Sequence, residues 1–202
     1  MRPRIPRQPT GDLTRQPTGD GPRPSIDDQA DARADATAGL GAELSAVLAG
    51  ARRRALRDGD RQIDTAHVLH SLLEHDPEVR DVFEDGTQVA RLLGYLVQRS
   101  IGYGLRWQST VEDSGTVPVV SVAEGLSPLA SAALEQARLR AARFGEERAC
   151  CVDLLAAVVA DPQARAVEVL TRAGVDAREL FLRIESRPRR PEEYADSGEP
   201  AP

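Results

Sequence analysis

Residues 51–73 read ARRRALRDGDRQIDTAHVLHSLL, and 86 positions later residues 137–159 read ARLRAARFGEERACCVDLLAAVV. Each string runs from an alanine–arginine segment into a glycine, Gly59 or Gly145, and then into aliphatic residues. With that shift held, residues 40–74 fall on 126–160 without a gap, with 11 identities in 35 positions. Leu40, Ser45, Ala46, Leu48, Ala51, Arg52, Arg54, Ala55, Arg57, Gly59 and Leu69 meet Leu126, Ser131, Ala132, Leu134, Ala137, Arg138, Arg140, Ala141, Arg143, Gly145 and Leu155. Alanine and arginine bias accounts for some matches, but the glycine stands at the same break in both copies. Such a repeat implies one supersecondary unit used twice, the two copies closing a common core.

Each copy reads as four helices. In the first, Leu44, Val47, Leu48, Ala51 and Ala55 form one apolar face at helical spacing, and Gly59 is placed for a left-handed cap. Asp64 or Thr65 opens a second helix that buries Val68, Leu69, Leu72 and Leu73. Asp76-Pro77 breaks it. A short helix is expected to about Asp85-Gly86, then a fourth with Val89, Leu92, Leu93, Leu96 and Val97. In the second copy, Ser127-Pro128 supplies a capping hydroxyl and a proline at the first helical position. Ala130, Ala133, Leu134, Ala137 and Ala141 then face inward until Gly145. Val152, Leu154, Leu155, Val158 and Val159 follow, to Asp161-Pro162. Val167 and Leu170 mark a third helix, Gly174 a break, and Leu180, Phe181 and Ile184 a fourth.

The flanks differ. Residues 1–39 are rich in Pro, Gly, Asp and Thr, and repeat Arg7-Gln8-Pro9-Thr10-Gly11-Asp12 at Arg15-Gln16-Pro17-Thr18-Gly19-Asp20. They have too little apolar surface to offset the entropy of ordering and read as a disordered tail, as do residues 187–202. The expected division is a tail (1–39), a double-repeat domain (40–186) and a second tail (187–202). Within the domain, copy one spans 40–101, a polar linker 102–125 and copy two 126–186. Val117-Pro118-Val119-Val120 is the linker's extended-looking piece.

Composition narrows the function. Aromatic residues make up 3% of the 202 and alanine and leucine dominate, which favours helix packing over sheets. The fold class is therefore all-α, about eight helices. No apolar run is long enough to span a bilayer, so no membrane partner is expected, and no signal-peptide core stands at the N-terminus. All 26 basic residues are arginine. Without lysine there is no Schiff base and no complete P-loop. The net charge of −6 is spread without a basic stripe, so no nucleic-acid partner is expected. Cys150 and Cys151 are adjacent, a poor geometry for a disulfide, and the expected compartment is the reducing cytoplasm.

A long Ala/Arg helix, a glycine, a cap and a Leu-rich helix, used twice, resemble the N-terminal repeat domain of Clp/Hsp100 unfoldases of the ClpC and ClpA type. Copies there typically read A-x-x-x-A-x-x-x-G-H-x-x-I-G-T-E-H-L-L-L-G-L-L. Copy one matches with Ala51, Ala55, Gly59 and Ile63-Asp64-Thr65-Ala66-His67-Val68-Leu69. Copy two matches with Ala137, Ala141, Gly145 and Ala149-Cys150-Cys151-Val152-Asp153-Leu154-Leu155. The family's later Val-Leu-x-x-x-Gly-Val is echoed by Val169-Leu170-Thr171-Arg172-Ala173-Gly174-Val175. The resemblance covers about residues 40–186. It implies a module that docks adaptors and substrates for a ClpP-type peptidase, here read as stand-alone, without the ATPase modules. In some members the domain binds phosphoarginine or cyclic peptide antibiotics. The family glutamate that holds the arginine group of phosphoarginine is replaced by Ala66 and Val152, which removes the charge-assisted contact and argues against that ligand. Leu40-Gly41 and Leu126-Ser127 stand where the family begins its copies with Phe-Thr.

Other chemistry finds little support. His67 and His70 could share a helix edge, but no Cys or carboxylate completes a recognised zinc spacing, so no metal and no cofactor is expected. His67 stands at the family's histidine position, for which a structural role is expected. Cys150 and Cys151 lie at an expected helix N-terminus, which can lower a thiol pKa, yet no base stands near them in sequence. Asp113-Ser114-Gly115-Thr116 matches the aspartic-protease tetrapeptide, which needs two carboxylates on a β scaffold. No catalytic residue is assigned.

The expected function is non-enzymatic: a protein-binding module of the Clp protease system that docks an unfoldase, adaptor or substrate as regulator or decoy. The alternative is a protein that sequesters cyclic peptide antibiotics. The expected docking groove lies between the copies, bordered by the first helix of each. Its residues would be Leu40, Arg52, Arg54, Arg57, His67, Leu126, Arg138, Arg140 and Arg143. If the arginine edges dock a partner, that partner is acidic.

Overall fold

The computed structural model describes residues 40–100, Glu112 and 125–189. The duplicated RQPTGD segment, Asp113–Thr116 and Val117–Val120 lie outside them. Among the described residues, eight helices follow one another. Copy one holds α1 (Ala42–Asp58), α2 (Thr65–His75), α3 (Pro77–Arg80) and α4 (Gly86–Ser100). Copy two holds α5 (Pro128–Arg143), α6 (Cys151–Ala160), α7 (Arg165–Arg172) and α8 (Ala177–Ser186). The described residues contain no strand, and the fold class is all-α as the sequence implies. No described helix is long and apolar enough to cross a membrane.

The ends of α1 and α5 follow from sequence. Gly59 and Gly145 sit at φ +73 and +78, a region where a Cβ would clash and glycine does not. The chain then doubles back, so that the Asp60 N–H donates to Ala55 O (2.9 Å) and the Glu146 N–H to Ala141 O (3.1 Å). These are the same Schellman-type closure at an 86-residue shift. It throws Asp60 back toward the start of α2.

The central helices are α2 and α6. Every residue of α2 from Thr65 to Leu73 is buried, and α6 is buried at Cys151, Asp153–Ala156 and Val158–Val159. Each packs on helices of both copies, and one continuous core runs from Leu44 and Leu72 to Leu155 and Ile184. Two parallel bridges lock the copies reciprocally, Leu40 beside Ala149 and Ile63 beside Leu126. The shift of 86 turns Leu40 into Leu126 and Ile63 into Ala149, so each bridge is the image of the other. In the second bridge the Ile63 N–H donates to Gly125 O (2.7 Å) and the Ser127 N–H to Ile63 O (2.9 Å).

Several expectations are revised. The helix after Pro77 ends at Arg80, not near Asp85. From there the Val82 N–H donates to Val79 O and the Phe83 N–H to Arg80 O. These tighter i to i+3 turns swing Val82 and Phe83 inward; both are buried. On α4 the buried stripe is Val89, Leu92 and Leu96, and Val97 is half exposed. On α7 the buried positions are Ala166, Val169 and Leu170, with Val167 only half-buried. Arg187 and Arg189, expected in the tail, contact the body at Glu78 O and at the Asp153 carboxylate.

Candidate functional site

Two carboxylates organise the junction between the copies. Asp64 caps α2, its Oδ1 accepting the His67 N–H at 2.9 Å, while His67 Nδ1 lies 3.1 Å from the Asp64 N–H. This is a capping box with histidine in the place usually held by Glu or Gln. The other oxygen, Oδ2, accepts from Arg99 of α4 at 2.7 Å and from Arg165 of α7 at 2.9 Å. Burial alone would raise the Asp64 pKa. The His67 hydrogen bonds and charge, with the Arg99 guanidinium, outweigh it and hold the carboxyl well below the usual range. Arg165 belongs to copy two, so this cap is also a joint.

Glu112 is the second organiser. It falls in the segment expected to be a polar linker, yet it is buried. Its carboxylate accepts the Thr65 N–H (2.9 Å), the Ser127 hydroxyl (2.6 Å), the Arg165 N–H (2.7 Å) and the Thr65 hydroxyl. Thr65, Ser127 and Arg165 open α2, α5 and α7. The positive ends of three helices therefore converge on one anion. Nothing local in the sequence marks Glu112, because its partners lie 15 to 53 residues away.

The equivalent corner of copy two carries different chemistry. The Cys150 N–H donates to Asp153 Oδ2 at 3.1 Å, so the carboxylate has moved from the cap to the third helical position. Asp153 is buried and binds Arg140 and Arg189, which also flank the Phe144 ring at 5.3 and 4.0 Å from its centroid. A helix N-terminus can lower a thiol pKa, but both thiols here are shifted upward. Cys150 is exposed as a residue, but the partial desolvation of its sulfur and then Asp153 push it up to about 11, and burial and then Asp76 push the buried Cys151 up further. The thiolate, the nucleophilic form, is therefore scarce at neutral pH.

The expected docking residues separate into groups. Leu40 and Leu126 are buried in the reciprocal bridges, and His67 is buried in the cap. A partner would meet these three only if the core opened. Arg54 pairs with Glu74, Arg138 with Glu135, and Arg140 with Asp153 and Glu185. Arg52, Arg57 and Arg143 point outward. With them stand apolar side chains that sequence reasoning left aside: Leu56 on α1, 71% exposed, and Leu139 on α5, 52% exposed. Ala66 is buried and Val152 half-buried. A concavity lies elsewhere, an open groove of roughly 730 Å³ in copy two lined by Val159, Val167, Val175, Ala177 and Phe181 among others.

No protein-family model matches the sequence, and no curated sequence does. Among solved structures, the chain is similar to the N-terminal domain of the caseinolytic protease associated chaperone ClpD from Arabidopsis thaliana. The likeness has a TM-score of 0.50 at 16% identity, covering 73% of this chain and 93% of that one. At this identity it is the fold that is shared.

Proposed function

We propose that this chain is a non-enzymatic protein-binding module of the Clp protease system. It docks an unfoldase, an adaptor or a degradation substrate, as regulator or decoy. The fold supports this reading, since it covers nearly the whole of a domain that belongs to a caseinolytic protease associated chaperone. The docking surface follows from the outer face of α1. There Arg52, Arg53 and Arg57 surround the exposed Leu56. An apolar anchor among guanidinium groups suits an acidic, partly apolar segment: the leucine supplies buried area and the arginines select the charge. Arg143 and Leu139 give α5 a matching face.

Crosslinking capture from the source lysate tests the proposal. The wild-type chain should recover a Clp ATPase subunit, its adaptor or a degradation substrate. The triple variant R52E/L56D/R57E, altered only at exposed positions, should lose that capture while keeping its helical circular dichroism. Capture that omits every Clp component, or that the triple variant retains, overturns the proposal.

A further inference from the structure

The corner where α1 gives way to α2 gathers three potential donors that no motif spacing announces. Asp58 is the last residue of α1, Asp60 follows the left-handed Gly59, and His67 stands one turn into α2. The glycine turn brings both carboxylates to the imidazole: His67 Nε2 is 3.2 Å from Asp60 Oδ2 and 3.7 Å from Asp58 Oδ2. One oxygen of each carboxylate and this nitrogen lie within 4.8 Å of one another.

The imidazole is the telling member. His67 is 1% exposed, yet its Nε2 makes no hydrogen bond. Asp60 Oδ2 is near enough to accept one but lies off the line of the ring N–H. A buried polar atom without a partner is costly. Oxygens that flank a ring nitrogen, instead of capping it, are what a shared ion requires. Metal–donor bonds of ~2.1 Å at the tetrahedral angle set donors ~3.4 Å apart, between the two distances observed.

We propose that Asp58, Asp60 and His67 bind a divalent transition-metal ion of the zinc type, one ion per chain, with water completing the shell. The imidazole nitrogen favours such an ion over magnesium or calcium, which prefer all-oxygen shells. Two carboxylates and a neutral imidazole balance the 2+ charge. Ligation through Nε2 places the ring proton on Nδ1, which lies 2.7 Å from Asp64 Oδ1 and then donates to it in place of accepting the Asp64 N–H, the outer-shell carboxylate contact that orients metal-binding histidines. Asp64 is in turn fixed by Arg99 and Arg165. Arg99 also holds Asp60 Oδ2 at 2.9 Å, Ser100 donates to Asp58 Oδ2 at 2.9 Å, and Arg57 faces Asp58 Oδ1 at 3.4 Å. The bound ion therefore displaces Arg99 from Asp60 and leaves its contact with Asp64. The Asp60 side chain is 41% exposed, which gives the ion a way in.

The repeat provides an internal contrast. At the corresponding positions copy two has Phe144, Glu146 and Asp153, with no imidazole, so the stoichiometry is one and not two. A second triad, Glu43, Asp76 and Cys151, is the competing location. There Asp76 Oδ1 is occupied in capping α3, and no imidazole stands among the donors.

Titration of the full chain with zinc against a chromophoric chelator tests the site, together with long-range 15N correlation spectra of the histidine rings. Saturable binding of one ion at micromolar concentration is expected, with Nε2 of His67 showing the metal-bound shift. Asp60→Asn and Asp58→Asn should weaken binding about tenfold or more, and Cys151→Ser should leave it unchanged. If Asp58→Asn unfolds the chain, Asp60→Asn at its exposed position decides. The proposal is overturned by absence of saturable micromolar binding, by equal affinity in Asp60→Asn, or by shifts confined to His70 or His75.

Discussion

Gly50 lies where α1 crosses α2, and a Cβ there would come within 2.2 Å of Ser71 Oγ. That hydroxyl donates to Val47 O at 2.7 Å. Gly50→Ala should force Ser71 off its acceptor and cost about 1–3 kcal/mol, as overpacking does, measured by urea unfolding. Glu112 is the other extreme, a carboxylate that serves four donors. Glu112→Ala strands two backbone N–H groups and two hydroxyls between the copies, and unsatisfied buried donors cost roughly 1–3 kcal/mol each before relaxation or water entry. A loss of at least the lower figure is expected; unchanged stability would contradict the clamp. His70 responds to pH. Burial, then Arg54 and Arg57, lower its pKa from 6.5 to about 3. The unfolded chain therefore binds the extra proton between those values, and stability falls as pH drops below 6.5. Asp64 acts in the same direction, but only below about 4, where unfolded carboxyls protonate. Between pH 6.5 and 4.5, His70→Gln should flatten the stability profile; an unaltered slope would assign the loss to other groups.

At the scale of elements, most of what was legible lay in caps and breaks. Gly59, Asp64, Ser127-Pro128, Gly145 and Asp161-Pro162 all mark real boundaries, because capping is a contact between near neighbours and is written in order along the chain. The α3 segment was misjudged for a related reason. Val79, Val82 and Phe83 share a helical spacing, but tight i to i+3 turns bury them equally well. The cap of α2 carries more than a local role, since Asp64 also holds Arg99 and Arg165. Asp64→Ala should cost more than the ~0.5–2 kcal/mol typical of an isolated cap. Ser127→Ala should likewise exceed that range, having lost both the Ala130 N–H and Glu112 as partners. Both are checked by chemical denaturation.

Across the whole molecule, the shared core and the reciprocal bridges imply one cooperative transition. Leu155→Ala removes a fully buried side chain of copy two and should cost about 2–5 kcal/mol. Its effect should reach copy one, with amide exchange along α2 accelerating as much as along α6. Faster exchange confined to copy two would show that the copies unfold separately. The site followed a different course from the fold. Of the nine residues expected to dock a partner, three are buried and four (Arg54, Arg57, Arg138 and Arg140) stand in ion pairs, while Leu56 and Leu139, passed over in sequence, stand exposed. Helical periodicity identifies which face is apolar. It does not identify which arginine finds an acid on a neighbouring helix.

The amino-acid sequence by itself determined the helices, their caps, the glycine closures and the repeat, all of which rest on contacts within a turn or two of chain. Tertiary structure alone decided that Arg165 reaches Asp64 across 101 residues, that Glu112 enters the junction, and that Asp58 and Asp60 meet His67. Those encounters depend on how two copies of one unit pack against each other. Side chains far apart in sequence acquire common surroundings only when a shared core sets the orientation of the helices that carry them.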